Sequence, residues 1–186
     1  MSYWLDPTHC EAYVKIAEGY DGREIITELQ KHLPAGSRVL ELGMGPGVDS
    51  LLLAEHYQVV GSDLSQWFVE RMQKLHPEID TMVLDAISIK TEQMFDGIYS
   101  NKVLQCLKRD ELRQSFKRQY ELIAKGGVLC HTFWYGDEEE LVEGARCIYY
   151  NEDTITETFS NDLDVLKISR YTEMSKDDSL LVILRK

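Results

Sequence analysis

The chain has 186 residues, 44% of them hydrophobic and 28% charged, with 20 basic against 32 acidic side chains and a net charge of −12. This length and balance fit one domain, 1–186, able to bury a six- or seven-stranded sheet between helices. The acidic excess argues against a broad nucleic-acid or anionic-membrane surface, because phosphate binding rests on clustered Lys and Arg, but it leaves a local basic pocket open.

Cys10, Cys106, Cys130 and Cys147 are widely scattered with no C-x-x-C spacing, and read as reduced thiols of a cytosolic protein. The first ten residues, MSYWLDPTHC, carry no basic-then-apolar leader pattern. No apolar run approaches the ~18 residues of a membrane span. The expected setting is therefore cytoplasmic, without a membrane partner.

Residues 8–32 read as helix in two pieces. Cys10, Val14 and Ala17 share one face, as do Ile25 and Leu29, and Gly19-Tyr20-Asp21-Gly22 interrupts them. Asp21 with Glu24 has capping-box spacing and predicts the start of the second helix, which Pro34-Ala35-Gly36 ends. Tyr20 thus falls in a turn just ahead of the next segment, either packed on a sheet edge or forming part of a lid.

The stretch 38–55, RVLELGMGPGVDSLLLAE, organises the rest. Val39 to Leu42 is a short apolar strand holding one acid, Glu41. Gly43, Gly45 and Gly47 alternate through a turn, and a helix follows with Leu51, Leu52 and Leu53 expected on its buried face. Glycine lets a ligand lie against bare backbone, and the helix presents unpaired N–H groups and a positive dipole end to that turn. Strand, glycine turn and helix open a nucleotide site in α/β sheets. Val48 occupies the third glycine position of the dinucleotide fingerprint, which makes a nicotinamide site a poor fit.

Gln58 to Asp63 is a second strand ending in an acid. Asp63 can accept bonds from both ribose hydroxyls or cap the helix predicted over 65–76. Thr81 to Leu84 is a third strand followed by Asp85-Ala86, and Phe95 to Ser100 a fourth, leading into Asn101. Leu112, Phe116, Tyr120 and Ile123 mark an amphipathic helix over 110–125, with Gly126-Gly127 as its stop. Val128 to Phe133 is a fifth strand. His131 lies inside it, as a satisfied core residue or a base. The acidic run 137–140 reads as a solvated helix start. Asn151 caps a helix to Phe159, and residues 163–174 and 179–185 form a hairpin across Lys176-Asp177-Asp178.

The E-x-G-x-G-x-G pattern from Glu41, with GSDLS around Asp63, FDGIYSNKVLQCL after it and IAKGGVLCHTFW before the hairpin, resembles the class I S-adenosylmethionine-dependent methyltransferases, small-molecule type. The resemblance runs from Tyr20 almost to the end. It implies a Rossmann-like three-layer α/β sandwich: a seven-stranded, mostly parallel sheet with a C-terminal antiparallel pair. It also implies a helical lid over 1–34 on a core over 35–186. The implied cofactor is S-adenosyl-L-methionine, with S-adenosyl-L-homocysteine as product. The implied cofactor residues are Tyr20, Glu41, Gly43, Gly45, Gly47, Asp63, Leu64, Asp85, Ala86, Ser100 and Asn101. Within these, Asp63 would hold the ribose, Asp85 and the Ala86 N–H the adenine, and the backbone at Ser100 and Asn101 the methionine ammonium.

Tyr13, Trp134 and Tyr135 are candidate aromatic walls for a small-molecule methyl acceptor, each equally readable as packing. No residue stands out as a general base, and no His/Cys/Asp cluster has metal-ligand spacing. Two other readings share the same cofactor pattern: an aminopropyl transferase or related enzyme on the same fold, and a cofactor-binding regulator without catalysis. Either a monomer or a homodimer is compatible with the chain.

Overall fold

A computed structural model describes residues 3–142 and 144–186 of the chain. The first two positions of the expected lid therefore lie outside the described residues. Five parallel strands form the first part of the sheet: β1 (Arg38–Leu42), β2 (Gln58–Asp63), β3 (Asp80–Val83), β4 (Phe95–Asn101) and β5 (Ile123–Trp134). Two more, β8 (Asp164–Tyr171) and β9 (Ser179–Arg185), complete it, in the order β3-β2-β1-β4-β5-β9-β8. β9 runs antiparallel to β5 and β8 antiparallel to β9. This is the seven-stranded, mostly parallel α/β sheet with an antiparallel terminal pair that the resemblance implies.

Alternation along each strand sorts side chains between the two faces. Leu40, Leu42, Ile98, Leu129 and Phe133 enter one core with Leu112, Phe116 and Leu122 of α5 (Arg109–Leu122). Val39, Val59, Tyr99, Cys130 and Ile183 enter the other, against α2 (Arg23–Leu29) and α3 (Val48–Ala54). Burial on both faces explains why β1 and β9 are nearly continuous apolar runs. α4 (Gln66–Leu75) packs Val69 and Met72 against Met44.

Several boundaries differ from the sequence expectation. α1 (Pro7–Ile16) begins one residue early because Asp6 accepts a bond from the Thr8 N–H at 2.8 Å and Pro7 takes the first helical position. Asp21 does not cap α2. Gly22 is the cap residue, and the Asp21 carboxylate accepts from the Arg23 N–H at 3.0 Å instead. α5 stops at Leu122, because Ile123 takes an extended conformation and pairs with Phe95. Gly126-Gly127 is therefore not a helix stop but an irregularity within β5. The α5 end is held by Lys186, whose Nζ donates to Tyr120 O at 2.8 Å and Ile123 O at 3.0 Å, a cation at a helix C-terminus.

The acidic run 137–140 starts no helix. It enters β6 (Glu139–Val142), which pairs with β7 (Ala145–Ile148) in a separate two-stranded ribbon. All four β6 residues are exposed, so no buried alternation marks the strand in the sequence. α6 (Glu152–Thr156) is capped by Asn151 as expected but ends three residues before Phe159. Among the described residues, no helix is long and apolar enough to cross a membrane.

Candidate functional site

A cavity of about 800 Å³ opens along the C-terminal ends of β1, β2, β3 and β4. It lies where the strand order reverses, between β1 and β4. Crevices at such a switch point are the usual ligand sites of open α/β sheets.

The floor is the glycine turn. Gly43 and Met44 both donate their N–H groups to Ser62 O at 2.8 Å, and Gly45 N–H donates to Asp63 Oδ2 at 2.9 Å. The turn is thus laced to the end of β2. Gly43 and Gly45 line the cavity; a Cβ on Gly45 would meet only Tyr13, at 3.5 Å. Gly47 does not line it. Its φ is +90°, and a Cβ there would sit 2.5 Å from Met72 Sδ. The third glycine therefore serves the αL entry to α3 and the close approach of α4 rather than a ligand.

Asp63 and Asp85 both line the cavity. Asp63 Oδ1 accepts from the Ser65 N–H at 2.8 Å while Oδ2 holds Gly45. Burial raises its carboxyl above the usual range, and those backbone bonds oppose the shift. Asp85 Oδ1 accepts from Ile87 N–H at 3.1 Å, and Oδ2 from Ser88 Oγ at 2.8 Å. A carboxylate has about four acceptor positions, so each acid keeps capacity toward the cavity. Leu64, Ala86 and Asn101 also line it, as do Tyr20 and Tyr13. Tyr20 is half exposed at the mouth. Tyr13 is kept protonated by burial, which raises its pKa.

Glu41 is buried beneath the turn and accepts from Ser50 Oγ–H. Burial, with Asp49 nearby, pushes its carboxyl up to about 8, so it is largely protonated at neutral pH.

Three sequence candidates lie elsewhere. The Ser100 side chain turns into the protein and pairs with His131 Nδ1 at 2.8 Å. Trp134 and Tyr135 do not line the cavity. Each ring stacks under a cation instead: Lys102 Nζ is 3.6 Å from the Trp134 ring centre, and the Arg170 guanidinium 3.8 Å from that of Tyr135. His131 is fully buried, with its pKa lowered to about 3 by burial. It is a satisfied core histidine away from the cavity.

Sequence reasoning missed Asp49, which lines the cavity and is nearly buried. Its Oδ1 accepts from Gly22 N–H at 2.7 Å, and Oδ2 from Tyr99 Oη at 2.7 Å and Asn101 Nδ2 at 3.1 Å. The available signal was an acid and a serine, Asp49-Ser50, on the first turn of a helix. Both are buried, whereas Leu51 and Leu52 are only partly so. It also missed the roof. Tyr3 and Trp4 come from a short 3-10 turn, Tyr3–Leu5, and Leu141, Ala145 and Arg146 from the β6–β7 ribbon.

Lys102 borders the cavity at φ +56°. Its Nζ is committed to Phe133 O at 2.9 Å, Ser179 Oγ at 2.6 Å and Glu173 at 3.2 Å. Burial lowers its pKa to about 8. Cys106, also lining, has its thiol pushed up to about 11 by burial. Among the described residues, no cluster of three or more His, Cys, Asp or Glu side chains has metal-binding geometry.

The sequence model of the family described as "Methyltransferase domain" matches residues 39–127, from β1 to the β5 irregularity. The trans-aconitate 2-methyltransferase of Variovorax paradoxus (strain S110) is 35% identical over 101 residues, which span 52% of this chain and 38% of that protein. Among solved structures, a TehB-like SAM-dependent methyltransferase from Corynebacterium glutamicum superposes with a TM-score of 0.78 at 19% identity, covering 97% of this chain and 100% of that one. The N-methyltransferase NodS from Bradyrhizobium japonicum, solved with S-adenosyl-L-homocysteine, gives a TM-score of 0.71 at 21% identity, covering 91% and 90%. These structures share the fold, and the family-model match over residues 39–127 spans the glycine turn and the strand ends that carry Asp63 and Asp85. Residues 39–127 thus match a methyltransferase-domain family model, and the chain as a whole shares the fold of these solved methyltransferases.

Proposed function

We propose that this protein transfers the methyl group of S-adenosyl-L-methionine to a small-molecule acceptor by in-line displacement. The observation that carries the reading is the cavity itself, edged by Glu41 of β1, Asp63 at the end of β2 and Asp85 just past β3, and floored by bare backbone at Gly43 and Gly45. That donor set suits the cofactor. Open space at Gly45 admits a ligand against the main chain, Asp63 offers acceptors to a ribose, and Asp85 offers acceptors to an adenine amine. Asp49 and the Asn101 backbone stand at the methionine end.

When bound, the cofactor supplies a methyl already activated on a sulfonium. The chain's own contribution is then to bind, align and exclude water. Tyr13, Trp4 and Phe68 form an edge-to-face aromatic series across the cavity wall. Cys106 and Tyr13 stay protonated, so neither removes a proton from the acceptor at neutral pH. The acceptor must bring its own nucleophilic oxygen, nitrogen or sulfur, with orientation as the main source of rate.

The lid reading belongs here too. Residues 3–34 supply Tyr3, Trp4, Tyr13 and Tyr20 to one wall, and closure of this segment would shut out solvent. The names of two relatives guide the acceptor panel: trans-aconitate, a tricarboxylate, from one and nitrogen acceptors from the other.

Thermal shift with S-adenosylmethionine and S-adenosylhomocysteine, each at 100 times its dissociation constant, should show stabilisation of about 2.7 kcal/mol, and NAD at the same concentration should show none. Asp63→Ala should remove most of it. A shift with NAD alone would overturn the reading. Transfer of labelled methyl to carboxylate and amine acceptors then tests catalysis, and no labelling with any acceptor would leave a binding protein rather than an enzyme.

A further inference from the structure

Beneath the cavity runs a buried polar chain that the proposed reaction does not use. Ser115 Oγ bonds Ala86 O at 2.6 Å, Gln119 Nε2 bonds Ser115 Oγ at 3.0 Å, His131 Nε2 meets Gln119 Oε1 at 2.8 Å, and Ser100 Oγ meets His131 Nδ1 at 2.8 Å. Ser100, Ser115, Gln119 and His131 are all fully buried.

One end of the chain fixes its direction. A carbonyl can only accept, so Ser115 donates to Ala86 O and must itself accept from the Gln119 amide N–H. Gln119 Oε1 then accepts, which puts the imidazole proton on Nε2 and makes Nδ1 the acceptor of the Ser100 hydroxyl. Each bond along the path then has one donor and one acceptor, and reversing any member would set two donors or two acceptors against each other. Burial keeps the imidazole neutral, with a pKa near 3, which this arrangement requires.

The chain ends on a strained loop. Ile89 sits at φ +37°, an outlier for a β-branched side chain that persists only where the surroundings impose it. Its N–H donates to Asp85 O at 2.9 Å, its side chain is fully buried, and Arg118 of α5 donates to Ile89 O at 3.3 Å and Thr91 O at 2.6 Å. α5 thus grips residues 86–91 from below at three carbonyls, while Asp85 and Ala86 face the cavity from the same loop.

We propose that Ser115, Gln119 and His131 are positioning residues that determine base selectivity: they hold the 85–89 loop in the one shape that presents Asp85 and Ala86 to an adenine rather than a 6-oxopurine. This rests on the cofactor reading above. A 6-oxopurine turns an acceptor oxygen toward the Asp85 carboxylate where adenine turns a donor amine, so selectivity depends on how firmly the loop keeps that carboxylate in place.

The test compares dissociation constants for S-adenosylhomocysteine and S-inosylhomocysteine by calorimetry in four proteins. The wild type should prefer the adenosyl ligand by more than about tenfold. Ser115→Ala and Gln119→Met should narrow that preference to about threefold or less. Leu122→Val, a core change at the end of the same helix with no part in the polar chain, should lower Tm and leave the preference intact. Preferences unchanged in Ser115→Ala and Gln119→Met, with Tm losses like that of Leu122→Val, would reduce the chain to packing and overturn the proposal. Wild-type protein binding both ligands equally would also overturn it while leaving the cofactor reading in place; binding neither would remove the cofactor reading and this inference together.

Discussion

Gly45 and Gly47 sit two positions apart in one turn and face opposite ways, so the same substitution at each should have separable effects. At Gly47 a methyl meets Met72 and the residue stays at φ +90°. Gly47→Ala should cost about 2 kcal/mol or more, a Tm loss of at least about 4 °C, with ligand affinity affected little in the protein that remains folded. At Gly45 the space is open and φ is +49°. Gly45→Ala should cost about 1 kcal/mol but weaken S-adenosylhomocysteine by tenfold or more, because the methyl enters the cavity. Differential scanning fluorimetry paired with calorimetry separates the two. The sequence singled out both glycines for one role, since alternation through a turn says where backbone freedom is needed and not which partner demands it. Asp63 and Asp85 were readable because acids at strand ends are conspicuous against apolar runs. Asp49 was not, because an acid on a helix's first turn is the ordinary complement to the helix dipole.

The segment between α1 and α2 is fastened to α3 at one point. Gly22 N–H donates to Asp49 Oδ1 at 2.7 Å, and a Cβ on Gly22 would strike Tyr99 Oη and Asp49 Oδ2. Three donors converge on the Asp49 carboxylate, and an amide cannot accept them all. Asp49→Asn should therefore loosen the fastening, weaken S-adenosylhomocysteine by tenfold or more, and abolish ligand protection against trypsin at Lys15 and Arg23. Gly22→Ala should do the same from the other side. The double variant should be no worse than the worse single one, because the two changes break one contact. Full additivity would show that they act separately. At this level the sequence was most informative where periodicity and punctuation agreed, as in β1, β2, β4 and the terminal hairpin. It failed where they conflicted. Ile123 fits the α5 stripe, yet burial against Phe95 draws it into the sheet. The fully exposed β6 has no inward face to reveal a period of two.

Across the whole molecule, two buried titrating groups give stability opposite slopes with pH. The Glu41 carboxyl is raised from 4.5 to about 8. The folded state therefore holds a proton that the unfolded chain has lost, and stability falls as pH rises through that window. His131 is lowered from 6.5 to about 3, so its contribution is complete above 6.5 and is lost as pH falls toward 3. Between about 6.5 and 7 Glu41 dominates and Tm should decline there; nearer 8 the decline levels off, because Lys102, lowered to about 8, loses its proton in the folded state first and contributes the opposite slope. Glu41→Gln keeps a neutral acceptor for Ser50 and should flatten the decline; an equally steep slope in that variant would assign it to other groups. None of this coupling was visible in the chain, because burial depends on which helix lands on which face. The cavity's roof was equally hidden, since Tyr3, Trp4 and Arg146 meet only after distant segments assemble.

The strand order carries one more consequence. β9 follows β8 in the chain yet lies inside the sheet, hydrogen-bonded to β5 on one side and β8 on the other, with Val182, Ile183 and Leu184 wholly enclosed. During synthesis the β5 edge must wait, raw and sticky, until residue 185 has cleared the ribosome. A nascent chain stalled any earlier offers neighbouring polypeptides an apolar ledge with free amides, which makes this edge the place where aggregation would begin.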